Sequence, residues 1–157
     1  MEQKEMIDLL RQVASGTMDV EQAALKLKEE PFEDLGFAKI DHHRAMRQGV
    51  AEVIYGEGKT PEQIFRIAEA MKEKGQKAVL ITRMNKESAI YVGEHLELQY
   101  DEVSRIGFIG EAPIKDGDGK IVVATGGTSD IPVAEEAART AETLGNEVIR
   151  LYDVGVA

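Results

Sequence analysis

The chain has no cysteine at any of its 157 positions. That excludes a disulfide framework, a thiolate metal site and a cysteine nucleophile within it. Long apolar runs are missing as well. None approaches the roughly 18 residues that cross a bilayer as a helix, so no membrane-spanning role is expected. The opening residues, Met1-Glu2-Gln3-Lys4-Glu5, lack the basic-then-apolar order of a secretory leader, and the expected location is cytoplasmic. Positive charge is scarce: 19 Lys+Arg against 29 Asp+Glu leave a formal net charge of -10. Non-specific nucleic-acid binding needs a broad basic surface and is not expected. A small anionic ligand remains compatible with local cations, and Arg44 and Arg47 are close enough to share a helix face.

What is present reads as a globular chain, 43% apolar and 31% charged, with enough length to bury a core in one domain or two small ones. Met6, Leu9, Leu10 and Val13 follow a helical period that Gly16 stops. Asp19 with Gln22 forms a capping-box pattern for a second helix, with Val20, Ala23, Ala24 and Leu27 on its expected buried face and Pro31 at its end. Short strands are expected over residues 38–40 and 53–55, around the polar stretch Asp41-His42-His43-Arg44-Ala45-Met46-Arg47. Adjacent histidines point apart on regular backbone, so His42 and His43 are not expected to share a metal.

Thr60-Pro61-Glu62-Gln63 combines an N-cap, a proline at the first helical position and a capping glutamine. Ile64, Ile67, Ala68 and Met71 give that helix its face, and Gly75 ends it. A buried strand is expected over 78–82, then a helix from Asn85 with Ala89, Val92, Gly93 and Leu96 on one side and His95 in its last turn, favourable to the helix dipole. A strand follows near 106–109. Two βαβ-like turns therefore precede residue 100. Glu111-Ala112-Pro113-Ile114-Lys115-Asp116-Gly117-Asp118-Gly119 is polar and turn-rich and marks a boundary. The expected organisation is a helical hairpin over 1–35, an α+β domain over 36–112 and the start of an α/β domain over 119–157.

That last segment carries the clearest motif. Ile121-Val122-Val123-Ala124 reads as a buried parallel strand. Val133, Ala134, Ala137, Ala138, Ala141 and Leu144 make a helix face stopped by Gly145, and a second strand over 148–154 returns parallel to the first. Between them lies Gly126-Gly127-Thr128-Ser129-Asp130. Glycines let a ligand approach the backbone, and a helix N-terminus offers free N–H groups and partial positive charge to an anion. Ser129 can donate to a phosphate or carboxylate oxygen. Asp130 is either the helix N-cap or a group facing the site. The bland alternative is a tight strand-to-helix turn. Gly58-Lys59-Thr60 looks like the end of a P-loop, but the position of its first glycine is Val53, so no nucleoside triphosphatase is inferred. Lys59 still precedes a helix and is a candidate phosphate contact. Two parallel strands and one helix cannot cover both faces of a sheet. The chain stops in apolar sequence at Ala157, so the α/β part is expected to be a truncated piece.

The glycine-rich loop, the helix after it and Tyr152-Asp153-Val154-Gly155 resemble the start of an aminoimidazole ribonucleotide carboxylase-like (PurE-type) domain. Preceded by Lys39-Ile40-Asp41-His42-His43-Arg44-Ala45-Met46-Arg47-Gln48-Gly49 and Glu52-Val53-Ile54-Tyr55-Gly56-Glu57-Gly58-Lys59-Thr60, the chain more closely resembles the LarB family, over nearly its whole length. The resemblance implies an α/β fold in which an N-terminal α+β domain precedes the first βαβ of a flavodoxin-like, PurE-type parallel sheet. It implies an enzyme of nickel-pincer cofactor synthesis that carboxylates the pyridinium ring of nicotinic acid adenine dinucleotide with CO2 or bicarbonate and hydrolyses the phosphoanhydride, releasing AMP.

No tightly bound cofactor and no resident metal are expected, although magnesium suits anhydride cleavage, and a homo-oligomer is implied. Carried over by position, Ser129 and Asp130 become the catalytic candidates at the ribose-phosphate or carboxylate end. Gly126, Gly127 and Thr128 shape the cradle, with Arg44, Arg47 and Lys59 as further anion contacts. Gly127 stands where the purine carboxylases usually carry serine. Both families continue past the equivalent of Val154 into a histidine–arginine motif, and the LarB family is thought to use a later cysteine. This chain is therefore expected to hold half an active site and to be inactive by itself. The alternatives are a purine-pathway carboxylase-like enzyme and a nucleotide-binding module without chemistry.

Overall fold

The computed structural model describes residues 3–27, 32–41, 52–111 and 114–155. The chain separates into two compact units, Met1–Glu52 and Val53–Ala157. In the first, helices α1 (Gln3–Ala14) and α2 (Val20–Leu27) precede an antiparallel strand pair, β1 (Phe32–Asp34) and β2 (Lys39–Asp41). Gly16 stops α1 by donating its N–H to Val13 O at 3.1 Å. Leu9 and Ala23 are buried, but Val20, Leu10 and Ala24, expected on the inner faces, are exposed. Two short helices touch along one line, so about one residue per turn is covered. Strand β1 was not expected; its turn is tied by Gly36 N–H to Asp34 Oδ1 at 2.8 Å. Residues 42–51 lie outside the described residues, and with them Arg44 and Arg47.

The second unit begins with a strand–helix–strand crossover that its sequence specifies locally. β3 (Val53–Tyr55) lies parallel to β4 (Ala78–Thr82), joined through α3 (Pro61–Glu73). The capping box closes as expected: Gln63 N–H donates to Thr60 Oγ1 at 3.2 Å and Thr60 N–H to Gln63 Oε1 at 3.0 Å. These bonds satisfy donors that the first helical turn leaves free. Ile64, Ile67, Ala68 and Met71 are all buried. Asn85 likewise caps α4 (Lys86–Gly93), accepting from Ser88 N–H at 2.8 Å. α3 and α4 pack on each other and on the sheet, with Met71, Val79, Ile81, Met84 and Val92 fully buried in the core.

The continuation corrects two expectations. α4 ends at Gly93, which is exposed, so Leu96 lies beyond the helix and not on its face. The unexpected strand β5 (Leu98–Asp101) follows, and β6 (Ile106–Gly110) pairs antiparallel with both β5 and β4. The order is β3-β4-β6-β5. β5 therefore runs parallel to β4 with β6 inserted between them, a split form of the second βαβ turn.

The last segment is the expected parallel pair. β7 (Lys120–Ala124) and β8 (Glu147–Leu151) lie in register, joined by a 3-10 turn at Thr128–Asp130 and by α5 (Ile131–Thr143). β8 ends at Leu151, short of the expected 154, because Asp153 adopts a left-handed backbone (φ 57). β7 is not buried. Pairs Val122–Ile149 and Ala124–Leu151 share the face away from α5, and Val122 remains 55% exposed. One helix covers one face, and among the described residues no layer covers the other. α5 buries Ala134 and Ala138, an i, i+4 pair, while Val133, Ala137 and Leu144 of its expected face stay exposed. The architecture is α/β: among the described residues the first unit has one antiparallel strand pair, and the second has one mixed and one parallel sheet. Among the described residues no helix is long and apolar enough to cross a membrane.

Thr60→Ala removes the cap acceptor and should lower stability by about 1 kcal/mol, with Thr60→Ser close to neutral. Denaturant melts of the two variants check this; equal stability of Thr60→Ala and the parent would contradict it.

Candidate functional site

The glycine-rich loop leaves the carboxyl end of β7 held by its own strap. Thr125 is buried and donates its N–H to Leu151 O at 3.0 Å. Val154 N–H returns to Thr125 O and Gly155 N–H to Gly126 O, both at 3.0 Å. The Thr125 hydroxyl accepts from Asp153 N–H at 3.0 Å. The approach at Gly155 admits no side chain: a Cβ there would sit 2.1 Å from Gly126 O.

Beyond the strap the chain turns outward. Gly127 is extended (φ -146, ψ 167) and leads into the 3-10 turn, where Asp130 N–H reaches Gly127 O at 3.3 Å and Ile131 N–H reaches Thr128 O. The N–H groups of Gly127, Thr128 and Ser129 donate to no carbonyl among the described residues. Asp130 makes no side-chain cap bond, so of its two readings the capping one is not realised. Thr128, Ser129 and Asp130 are exposed. A Cβ on Gly127 would meet nothing within 4 Å. Its backbone angles suit any residue, so nothing inside the chain requires glycine there. The five predicted loop residues thus form one continuous turn at the edge where parallel strands present ligand sites, with the N–H groups of Thr128 and Ser129 left without an acceptor among the described residues.

A second loop, Tyr55 to Thr60, leaves the carboxyl end of β3 in the same way. Gly56 N–H donates to Thr82 O at 2.7 Å, and a Cβ at Gly56 would lie 2.9 Å from that oxygen. Lys59 is half-buried and folds back so that Nζ donates to Tyr55 O at 2.9 Å. The Tyr55 hydroxyl donates to Glu57. That bond, with Arg83 and Arg105 nearby, holds the Glu57 carboxyl below the usual carboxylate range; the same bond raises the Tyr55 hydroxyl.

Arg83 stands between this loop and α5. Its Nε donates to both carboxylate oxygens of Glu136, at 3.0 and 2.8 Å, and its Nη1 is 3.7 Å from Glu57 Oε2. Arg83 and Arg105 both have left-handed backbone (φ 53 and 56), and Arg105 Nη2 donates to Arg83 O at 3.2 Å. None of Tyr55, Glu57, Arg83, Arg105 and Glu136 was singled out from the sequence. They come from four separate segments. The available signal was an arginine immediately after a buried strand.

A third network fixes α5 against β8. Arg150 pairs with Glu142 at 2.6 Å and Glu135 at 2.9 Å, and the Tyr152 hydroxyl donates to Glu135 at 2.9 Å. Arg150 holds the Glu142 carboxyl below its ordinary range, and the two carboxylates raise the guanidinium further. Among the described residues no three His, Asp or Glu side chains gather to hold a metal ion. His95 lies just past α4, stacked on Phe65 and Tyr91, with Nδ1 2.7 Å from Tyr91 O.

With this geometry in place, comparison with known proteins is specific. Residues 32–111 match the family described as the LarB/PurE-like N-terminal domain. An uncharacterized protein of Methanocaldococcus jannaschii is 31% identical over 161 residues, covering 98% of this chain and 63% of that protein. The chain therefore spans about three-fifths of the relative it matches.

Gly155→Ala should break the strap and release the loop while leaving the β3–β6 sheet intact. In amide hydrogen exchange, faster exchange at Thr125, Val154 and residue 155 with unchanged protection across β4 and β6 is expected. Unchanged exchange at the strap would contradict the reading.

Proposed function

Because the chain belongs to the LarB/PurE-like N-terminal domain family, we propose that it is part of a carboxylase acting on a nucleotide. The substrate in this reading is nicotinic acid adenine dinucleotide. Its pyridinium ring takes up CO2 or bicarbonate, and its phosphoanhydride is hydrolysed to release AMP, a step of nickel-pincer cofactor synthesis. One observation carries the reading: the N–H groups of Thr128 and Ser129, in the first turn of the 3-10 segment that leads into α5, have no acceptor among the described residues. Successive free N–H groups at a helix N-terminus suit phosphate oxygens in both charge and direction.

The side chains divide the work. Ser129 adds a hydroxyl donor to the same phosphate, and Gly127 leaves the space over those N–H groups open. Asp130, exposed and without a cap bond, accepts from a ribose hydroxyl or takes a proton. Lys59, just before α3, supplies positive charge for the remaining phosphate; Arg44 and Arg47, outside the described residues, stay candidates from the sequence. Magnesium would enter on the pyrophosphate itself, where it neutralises charge for cleavage.

Calorimetric titration of nicotinic acid adenine dinucleotide into the chain tests this. The dinucleotide should bind, and Ser129→Ala should weaken it about tenfold, the loss of one hydrogen bond to a charged group. Asp130→Asn should also weaken it. Full affinity in both variants would overturn the assignment of these side chains. Preference for an aminoimidazole ribonucleotide would transfer the site to the purine carboxylases.

A further inference from the structure

The Arg83 guanidinium is half used. Its Nε edge is fixed on Glu136. Its terminal nitrogens make no hydrogen bond among the described residues, and the nearest carboxylate, Glu57, lies 3.7 Å from Nη1, outside bonding distance. A guanidinium held by Nε presents Nη1 and Nη2 as a ready fork, the geometry that matches a carboxylate end-on. The pair with Glu136 fixes where the fork points, so little side-chain freedom remains to be lost on binding.

The surroundings supply room for what would carry that carboxylate. An open groove of about 410 Å³ runs beside Arg83 along α5, from Val133 past Ala137 and Thr140 to Leu144 and Asn146, with Ile121 also lining it. Its volume is in the range of small-molecule sites, and its walls are mainly apolar. Val133 lies two residues into α5, close in sequence to the Thr128–Asp130 turn. Glu136 is five residues past the first of α5, a rise of roughly 7.5 Å. The exposed apolar side chains Val133 and Ala137, which the helix does not bury, line this groove.

We propose that Arg83 is a specificity-determining residue that receives the carboxylate of a flat, carboxylate-bearing ring seated in this groove, while the phosphate of the same ligand rests on the Gly127–Ser129 turn. This rests on the reading of the site as one for nicotinic acid adenine dinucleotide and assigns the end of that ligand which the glycine loop does not touch. Glu57 is then the displaceable neighbour: weakly engaged with Arg83, it gives way to the incoming carboxylate and keeps its bond from Tyr55. A ring bearing an amide in place of the carboxylate keeps its shape but loses the charge and one of the two acceptors. It leaves the fork partly unpaired and should be rejected.

The test compares nicotinic acid adenine dinucleotide with NAD+, which differ only in that group, and uses AMP to report the phosphate end. The parent chain should prefer the acid at least tenfold. Arg83→Met should bring the two affinities together while AMP binding is unchanged. Arg83→Lys, which keeps a charge for Glu136 but has no fork, should retain only part of the preference and serves if the methionine variant fails to fold. Undiminished preference in Arg83→Lys and Arg83→Met overturns the proposal, as does a loss of AMP affinity equal to the loss for the acid. A parent chain that binds both dinucleotides equally overturns this assignment alone. One that binds AMP and neither dinucleotide overturns the reading it rests on as well.

Discussion

The acceptor-free N–H groups of Thr128 and Ser129 sit in a turn that the second unit holds at both ends. The ladder between Thr125–Gly126 and residues 153–155 holds the incoming side of the turn. α5 holds the outgoing side, with Arg150 bridging its Glu135 and Glu142 to β8. Gly155 lets the two backbones close to a distance that no side chain permits. A turn free to relax would rotate its amides toward water or its own carbonyls; fixed at both ends, it presents them already aimed, which is the condition for strong charge recognition.

The arginine–carboxylate contacts between α5 and the β3–β6 sheet do a different job. Arg83 is 39% exposed and Arg139, 3.9 Å from Asp101, is 49% exposed. Exposed pairs of this kind contribute at most about 1 kcal/mol, small beside the burial of Ile64, Met71, Ile81 and Met84 in the sheet–helix core. Their consequence is directional. Glu136 and Arg139, three apart on α5, meet an arginine and an aspartate of the sheet in turn. A shift of the helix by one turn would lose both pairings. Orientation is what these contacts secure, and orientation is what a ligand spanning the loop and Arg83 requires.

Where signals were local, the sequence was readable. Thr60, Pro61 and Gln63 announce α3 because a cap is made by residues three apart. Val79, Leu80 and Ile81 announce a buried strand, and the repeat from Val133 to Leu144 announces α5. Burial was less legible. The apolar run of β7 looks like a strand covered on both faces, but coverage depends on what else packs there, and Val122 is open. β5 was missed because Leu98, Gln99 and Tyr100 make too short an alternation to stand out, and it forms by pairing with β6, downstream in the chain. The loop from Gly126 to Asp130 was visible as a motif, whereas the Tyr55–Glu57–Arg83–Glu136 chain was not. Its last link joins residues 53 positions apart. No periodicity in the sequence records such a contact.

A phosphate held by the glycine turn would sit on the acceptor-free N–H groups of Thr128 and Ser129. Titrating AMP into isotopically labelled chain while following backbone amide resonances tests that placement most directly. The amide signals of Gly127, Thr128 and Ser129 should then move furthest and gain protection from exchange, with the strap at Val154 and Gly155 little changed. AMP binding that shifts amides elsewhere and leaves those three unmoved would contradict it.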